Sequence, residues 1–467
     1  MNKKVYINKF FTAVLLSVSF CSCANQIPPS GGEDDKIPPK IISVFPKPGK
    51  LNYTKNYIRL VFDEYVDRRS FEESFYIYPL TAGNYKFDWS GKEVEIDFPE
   101  NLEKNRTYVV TVGRNLKDSR GGNATSSPFT FAFSTGSSLD SGRISGKVFS
   151  DKYDKVKILL YLLTNKPEDI NPEIKRADYI TQPDESGNYY FTNLPEGVFR
   201  IFALNDDDRN NLYSKLYDNI AVYSSDIKPG KSNTSSDNVN LILTDPGLSV
   251  SENIPLKFLK PGIPDKLFTN IPAKELIIPP DYKIYFYFKD NKFTKSEIVN
   301  NLTVEDSASG TPYNMIYNWM SDSLLEVFSS PEFHKSSVLK ISLDIKGKEE
   351  NIVFDSFVKT AGKENSGTVS GKLISVKSPE LPVYVYLINR KNNFVSFKKE
   401  IADTAEFTFE DVPEGSYLMF SFIDKNVNGK FDRGNYFPFS FSEEFYLYGK
   451  PIEVKGKWKT DNIFIEY

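Results

Sequence analysis

The chain has 467 residues, with 58 Lys and Arg against 62 Asp and Glu, one histidine and two cysteines. A mildly acidic balance without basic runs argues against nucleic acid as a partner. A single histidine, His334, and cysteines only at 21 and 23 exclude zinc sites built on His or Cys, leave no disulfide framework, and give a Ser-His-Asp triad one residue to use.

At the N-terminus Lys3, Lys4 and Lys9 precede an apolar run from Phe10 to Phe20, the pattern of a secretory signal and too short to span a bilayer. Ser22 before Cys23 is the small residue a lipoprotein signal peptidase requires; Phe20 before Cys21 is not. Residues 1–22 are expected to be removed and Cys23 to carry the lipid, palmitate among its acyl chains, that holds the protein in a membrane. An ordinary cleavable signal is the alternative. Residues 23–39, with Pro28, Pro29, Gly31, Gly32 and an acidic Glu33-Asp34-Asp35, lack apolar periodicity and read as a flexible tether. Between Leu248 and Ala273 the strand pattern is poor and Pro255, Pro261 and Pro264 punctuate it, as expected of a joint or insertion.

From residue 40 to 137 the chain alternates in short runs: Ile58 to Phe62, Val94 to Phe98, Tyr108 to Val112 and Phe129 to Phe133. Such runs with turn residues between them predict half-buried antiparallel strands of a sandwich. Pro46-Lys-Pro48-Gly49, then Leu60-Val-Phe62-Asp63-Glu64, Asp118 with Gly121-Gly122-Asn123, and a closing Phe131-Ala-Phe133-Ser-Thr135-Gly136 follow in that order. In these landmarks the segment resembles the SbsA-type bacterial Ig-like domain.

Residues 142–245 open with Gly142-Arg-Ile-Ser-Gly146, continue through an apolar run from Val156 to Leu162, and reach Asp184-Glu-Ser-Gly187-Asn-Tyr189-Tyr-Phe191 and Pro195-Glu-Gly197. This resembles the carboxypeptidase-regulatory, prealbumin-like β-sandwich, and the resemblance implies a non-catalytic module. Gly367-Thr-Val-Ser-Gly371, Phe407-Thr-Phe409 with Pro413-Glu-Gly415, and Asp461-Asn-Ile463 repeat its landmarks, so residues 364–467 form a second copy. Between the copies, Ile284 to Phe288 stands where Ile58 to Phe62 would fall, and Trp319 with Leu324 to Phe328 mirrors Trp89 with Val94 to Phe98. Residues 246–362 therefore read as a diverged Ig-like copy. The predicted class is all-β, tandem sandwiches in an A-B-A′-B′ order, drawn out as a rod.

One constellation carries chemistry. Asp424, Asn426, Asn428 and Asp432 stand at positions 1, 3, 5 and 9 of an EF-hand-like loop, with Gly429 at position 6 and the Lys430 carbonyl at 7, the pattern that wraps Ca²⁺. Position 12 is Asn435, so the usual bidentate carboxylate is missing. The corresponding loop of the first copy, Asp206-Asp-Asp208-Arg-Asn210-Asn211 to Ser214, has asparagine for the glycine and serine for the last aspartate. A turn whose side chains satisfy its own backbone is the alternative reading of both. No other cofactor is expected.

The resulting expectation is a non-enzymatic lipoprotein of the Bacteroidota type on the outer membrane, on its periplasmic or cell-surface face. It would serve as a structural or protein-interaction subunit beside outer-membrane assembly or transport machinery, with a glycan-binding surface protein as the alternative. A hydrolase lacks its residues: His334 comes without a Gly-x-Ser-x-Gly elbow, and paired carboxylates alone do not define one.

Overall fold

The computed structural model describes residues 34–79, 84–163, 170–229, 236–245, 247, 258–271, 277–290, 292–347, 351–374, 381–401 and 405–466. Cys23, the signal segment and most of the tether lie outside the described residues. Within them the chain is strands throughout, relieved by two seven-residue helices, Arg68–Ser74 and Lys295–Asn301.

In the first segment Ile41–Phe45, Tyr57–Phe62, Glu93–Asp97 and Lys86–Ser90 form one sheet in that order, and Phe75–Tyr78, Thr107–Val112 and Phe129–Ser134 form the other. Period-two alternation puts Ile58, Leu60 and Phe62 inward against Val94, Ile96, Tyr108, Val110 and Phe133. The helix Arg68–Ser74 was not anticipated. Asp67 starts it by accepting the Ser70 N–H at 2.6 Å, and it delivers Phe71 into the core beside Trp89. The Asp118 landmark is a turn device. Its buried carboxylate accepts N–H groups from Arg120, Gly121, Gly122 and Asn123; burial opposes its charge, but these donors hold its pKa below the usual value.

The same plan returns after residue 258. Leu267–Thr269, Ile284–Phe288, Leu324–Ser329 and Met315–Trp319 pair in the order of the first segment's large sheet, and Leu302–Asp306, Val338–Lys346 and Asn351–Thr360 in that of its small one. Trp319 leans on Phe288 under Lys295 as Trp89 stacks on Phe62 under Arg68, so both indoles are packing groups. The expected joint before Ala273 needs correcting. Its described part holds the strands Lys260–Ile263 and Leu267–Thr269, and Pro261 is tolerated because its strand is the sheet edge.

Residues 142–245 fold as a four-strand sheet over a three-strand one, and residues 364–466 as the same pair with Ile452–Val454 added as a fifth strand beside Gly415–Ile423. The orders are Tyr179–Thr181, Val156–Leu162, Phe199–Asn205, Asn219–Val222 in the first, and Ser396–Ile401, Val383–Asn389, Gly415–Ile423, Phe445–Leu447 in the second. In both small sheets the first strand pairs in parallel with the last, Gly142–Phe149 with Leu241–Ile242 and Ser366–Ile374 with Lys459–Glu466. The repeated glycine permits that approach. A Cβ on Gly146 would stand 1.9 Å from the Val239 carbonyl oxygen, and one on Gly371 2.4 Å from that of Ile463.

The rod is also corrected. Phe420 and Phe422 of Gly415–Ile423, with Tyr386 and Ile388 beside them, face away from their own sandwich core, and that second face is covered by Phe149 and Ile242 of the first copy. Further along, the hairpin Asn435–Tyr436/Phe439–Ser440 reaches across. Tyr436 meets Tyr213 edge-on at 4.5 Å, and Phe439 lies 3.5 Å under the guanidinium of Arg200. An apolar second sheet face must be buried, and these two copies bury it between them although residues 246–362 separate them in sequence.

Candidate metal centres

The two Asx-rich loops occupy the same place in their copies, just beyond the strands Phe199–Asn205 and Gly415–Ile423. Their turns are alike in detail. Asp424 Oδ1 accepts from the Asn428 N–H and Oδ2 from Gly429, as Asp206 does from Asn210 and Asn211. Gly429 and Asn211 both adopt positive φ, 75° and 63°, so asparagine, which tolerates the left-handed region, replaces the glycine without changing the turn. Val427 and Arg209, two residues earlier, also sit at φ 60°. For a β-branched residue that is strained backbone, held in place by the surrounding hydrogen bonds.

The missing carboxylate is present, from outside the expected window. Glu443, reached only after the Asn435–Ser440 hairpin, lies over the loop. Its two oxygens accept the N–H groups of Lys425 at 2.7 Å and Asp432 at 3.0 Å. In the first copy Asp218 takes the same two positions, accepting from Asp207 at 2.8 Å and Ser214 at 2.7 Å. Burial first, and then the neighbouring Asp424 and Asp432 carboxylates, push the Glu443 pKa up to about 7. Burial together with Asp208 and Asp206 likewise raises Asp218.

The structure brings Asp424, Asn426, Asn428 and Asp432 together as expected: the Asn426 and Asn428 side-chain amides both donate to Asp432, and Lys430 donates its N–H to Asn428. In the first loop the carboxylates of Asp206, Asp208 and Asp218 converge within 4.8 Å. The copies differ in their cation. Lys157, itself buried, places its ammonium on Asp206 and on the Asn211 side chain. Strand register puts Tyr384 at the equivalent position of the second copy, because Lys157 faces Leu204 as Tyr384 faces Phe422. There the nearby Lys398 ammonium is used on the Gly429 carbonyl, and fully buried Asp424 accepts the backbone N–H groups of Asn428 and Gly429. The first loop borders a cleft of about 850 Å³ between residues 40–137 and 142–245, lined by Tyr76, Arg114 and Arg209 among others.

His334 is exposed, with its ring against Tyr313 at 5.3 Å; among the described residues no hydroxyl or carboxylate hydrogen-bonds its imidazole. Trp458, two-thirds exposed under Lys455, is the one tryptophan outside the cores.

Against known proteins, residues 35–135 match the bacterial Ig-like domain. No curated protein matches the chain. Among solved structures, an L,D-transpeptidase from Mycobacterium smegmatis is similar at 18% identity over 28% of this chain and 56% of that one, TM-score 0.16. The Bacillus anthracis TIE protein is similar at 9% identity over 94% and 76%, TM-score 0.16, and domains 1–6 of the surface layer protein SbsC at 10% over 91% and 55%, TM-score 0.17. The chain thus spans a little over half of that transpeptidase.

Proposed function

We propose that this is a non-enzymatic outer-membrane lipoprotein, anchored through Cys23, that acts as a structural or protein-interaction subunit of the cell envelope beside assembly or transport machinery. The observation that carries the reading is how the aromatic side chains are used. They fill sandwich cores and the seam between residues 142–245 and 364–466, packing together modules that would otherwise be independent. The Ig-like match at residues 35–135 supports the class. Purifying the intact protein from detergent-solubilised outer membranes tests the role: a stoichiometric barrel partner supports it, and a monomer that binds glycan arrays favours a glycan-binding protein. For the anchor, Cys23→Ser should release the protein from the membrane fraction; a variant still acylated and membrane-bound overturns that part.

Calcium at Asp424 is a second element of the proposal, and the exchange of Lys157 for Tyr384 favours it, since in the first copy an ammonium sits on the buried Asp206 carboxylate, whereas at that strand position the second copy has a phenol and the nearby Lys398 ammonium reaches the Gly429 carbonyl. Asp424, Asn426, Asn428, Asp432 and the Lys430 carbonyl would hold the ion, with Glu443 as the acid from beyond the loop, at the weak extracellular end of about 10⁻⁴–10⁻³ M. At ten times a millimolar Kd, calcium would add about 1.4 kcal/mol. The sign of the pH effect follows from Glu443. Its folded pKa is raised, so without metal its contribution declines as pH rises from the ordinary 4.5 through about 7. The calcium-induced rise in Tm should therefore be a few degrees at pH 8, shrink at pH 6, and vanish in Asp424→Ala. Glu443→Gln should raise metal-free stability at pH 8 while blunting the calcium response. Equal Tm with calcium and with chelator at pH 8 removes the metal.

A further inference from the structure

The three most exposed large apolar side chains among the described residues, Leu216 at 86%, Ile174 at 78% and Tyr217 at 68%, belong to one neighbourhood. Ile174 follows Glu173, whose carboxylate accepts the Tyr436 hydroxyl at 2.9 Å; Leu216 and Tyr217 lie just beyond Tyr213, which packs on the Tyr436 ring and donates its N–H to the Pro172 carbonyl. Phe437, half exposed, is the next residue after Tyr436. Two turns from the first copy and one hairpin from the second thus raise four apolar side chains around the Tyr213–Tyr436 contact.

This exposure is built. The Ile174 turn is closed by Asn171, whose carbonyl accepts the N–H groups of Ile174 and Lys175 and whose side chain accepts that of Glu173. The Leu216 turn is closed by the Ser214 carbonyl, which accepts from Tyr217 and Asp218, and Asp218 is fixed in turn by its bonds from Asp207 and Ser214. Side chains held outward at the tips of hydrogen-bonded turns suit insertion into a soft phase.

The charges beside them narrow the occupant. Lys175 follows Ile174 directly, with its ammonium 6.0 Å over the Tyr161 ring, Lys215 precedes Leu216, and neither is in an ion pair among the described residues; Arg176 lines the cleft toward residues 40–137. Acids near these residues in the chain are engaged: Glu173 by Tyr436, Asp218 by the Asp207 and Ser214 N–H groups, Asp178 by the Leu162 N–H, Asp208 by Ser214 and Asn210. Apolar and tyrosine tips with Lys175 and Lys215 adjacent to them in sequence match an anionic lipid surface, which takes the rings and aliphatic groups at its acyl boundary and the ammonium groups at its headgroups. Four large apolar side chains exposed on neighbouring turns otherwise go unexplained.

We infer that this seam is a second membrane contact, by which the two copies together dock the protein on an anionic lipid surface. The inference deepens the anchored reading and rests on it for its setting, but its test reads the loop and not the anchor. In the mature lipoprotein an introduced Leu216→Cys is the one free thiol once Cys23 is acylated. Labelled there with an environment-sensitive fluorophore and reconstituted in phosphatidylethanolamine/phosphatidylglycerol vesicles, it should shift to the blue and be quenched several-fold by nitroxide-bearing lipids; the same label at Ser309→Cys, an exposed turn elsewhere, should not. Lys175→Glu with Lys215→Glu should cut the quenching at 216 at least several-fold, as should pure phosphatidylcholine vesicles. A 216 label as wet as the 309 label on protein that floats with the vesicles overturns the inference while leaving the anchor intact. Protein that fails to float overturns the anchor instead, and vesicles added to it then read the loop alone. A blue shift that depends on protein concentration without any lipid assigns the patch to a second copy of the chain and also overturns the inference.

Discussion

Lys157→Met should destabilise residues 142–245 by about 3–5 kcal/mol, because removing one partner of a buried pair leaves the other charge uncompensated. Asp206 is fully buried, and the ammonium it loses also held the Asn211 side chain. Methionine fills much of the space of the lysine stem, so the loss is electrostatic more than a cavity. The readout is a drop in Tm on the order of 10 °C. The variant makes a second, less obvious demand. With Lys157 gone, the first loop presents Asp206, Asp208 and Asp218 within 4.8 Å and no lysine at the strand position where the second copy has Tyr384. Millimolar calcium should then restore part of the lost stability in Lys157→Met and none in Lys157→Met/Asp208→Asn. A loss under about 1 kcal/mol would mean that water screens the pair as it screens surface ion pairs.

The strands were legible wherever one face is wet. Tyr57–Phe62 alternates half-buried with buried residues, so a period of two stands out, and the repeated Gly146 and Gly371 mark a close parallel approach that only glycine allows. The two helices were not legible: seven residues carry barely two turns of a 3.6 period, and what identifies Lys295–Asn301 is its Thr294/Glu297 capping box. In the loops, the ligand spacing from Asp424 to Asp432 was readable because those residues are adjacent in sequence. Glu443 was missed because the hairpin that grips the first copy is inserted between it and Asp432, and Asp218 because it follows Ser214 after a tight turn. Both acids do the same work from different register, which no fixed motif length captures. The seam had a signal that was not used: Leu418-Met-Phe-Ser-Phe-Ile423 is almost unbroken apolar sequence, as a strand buried on both faces should be. What covers its outer face depends on contacts more than a hundred residues away, and periodicity carries no record of them.

That seam sets the second large effect. Phe420 is fully buried, edge-on to Phe431 at 5.0 Å and stacked with Phe445 at 5.7 Å, in the cluster that includes Ile242 of the first copy. Phe420→Ala should cost about 3–5 kcal/mol, the ordinary range for emptying an aromatic site. Its position on the outward face predicts where that cost falls. The core of residues 364–466 on the other side of the sheet, built on Tyr417 and Met419, stays packed, so the loss is of coupling between the copies more than of either fold. Calorimetry should show the joint transition broaden or split, and hydrogen exchange should rise first in the Asn435–Ser440 hairpin, ahead of Tyr417 and Met419. Arg200→Ala attacks the same contact from the other copy, removing the guanidinium over Phe439 and the paired bonds to Asp226, and should loosen the same hairpin. If Phe420→Ala lowers one sharp transition and leaves hairpin exchange unchanged, the two copies are coupled by some other contact and the aromatic seam is only local packing.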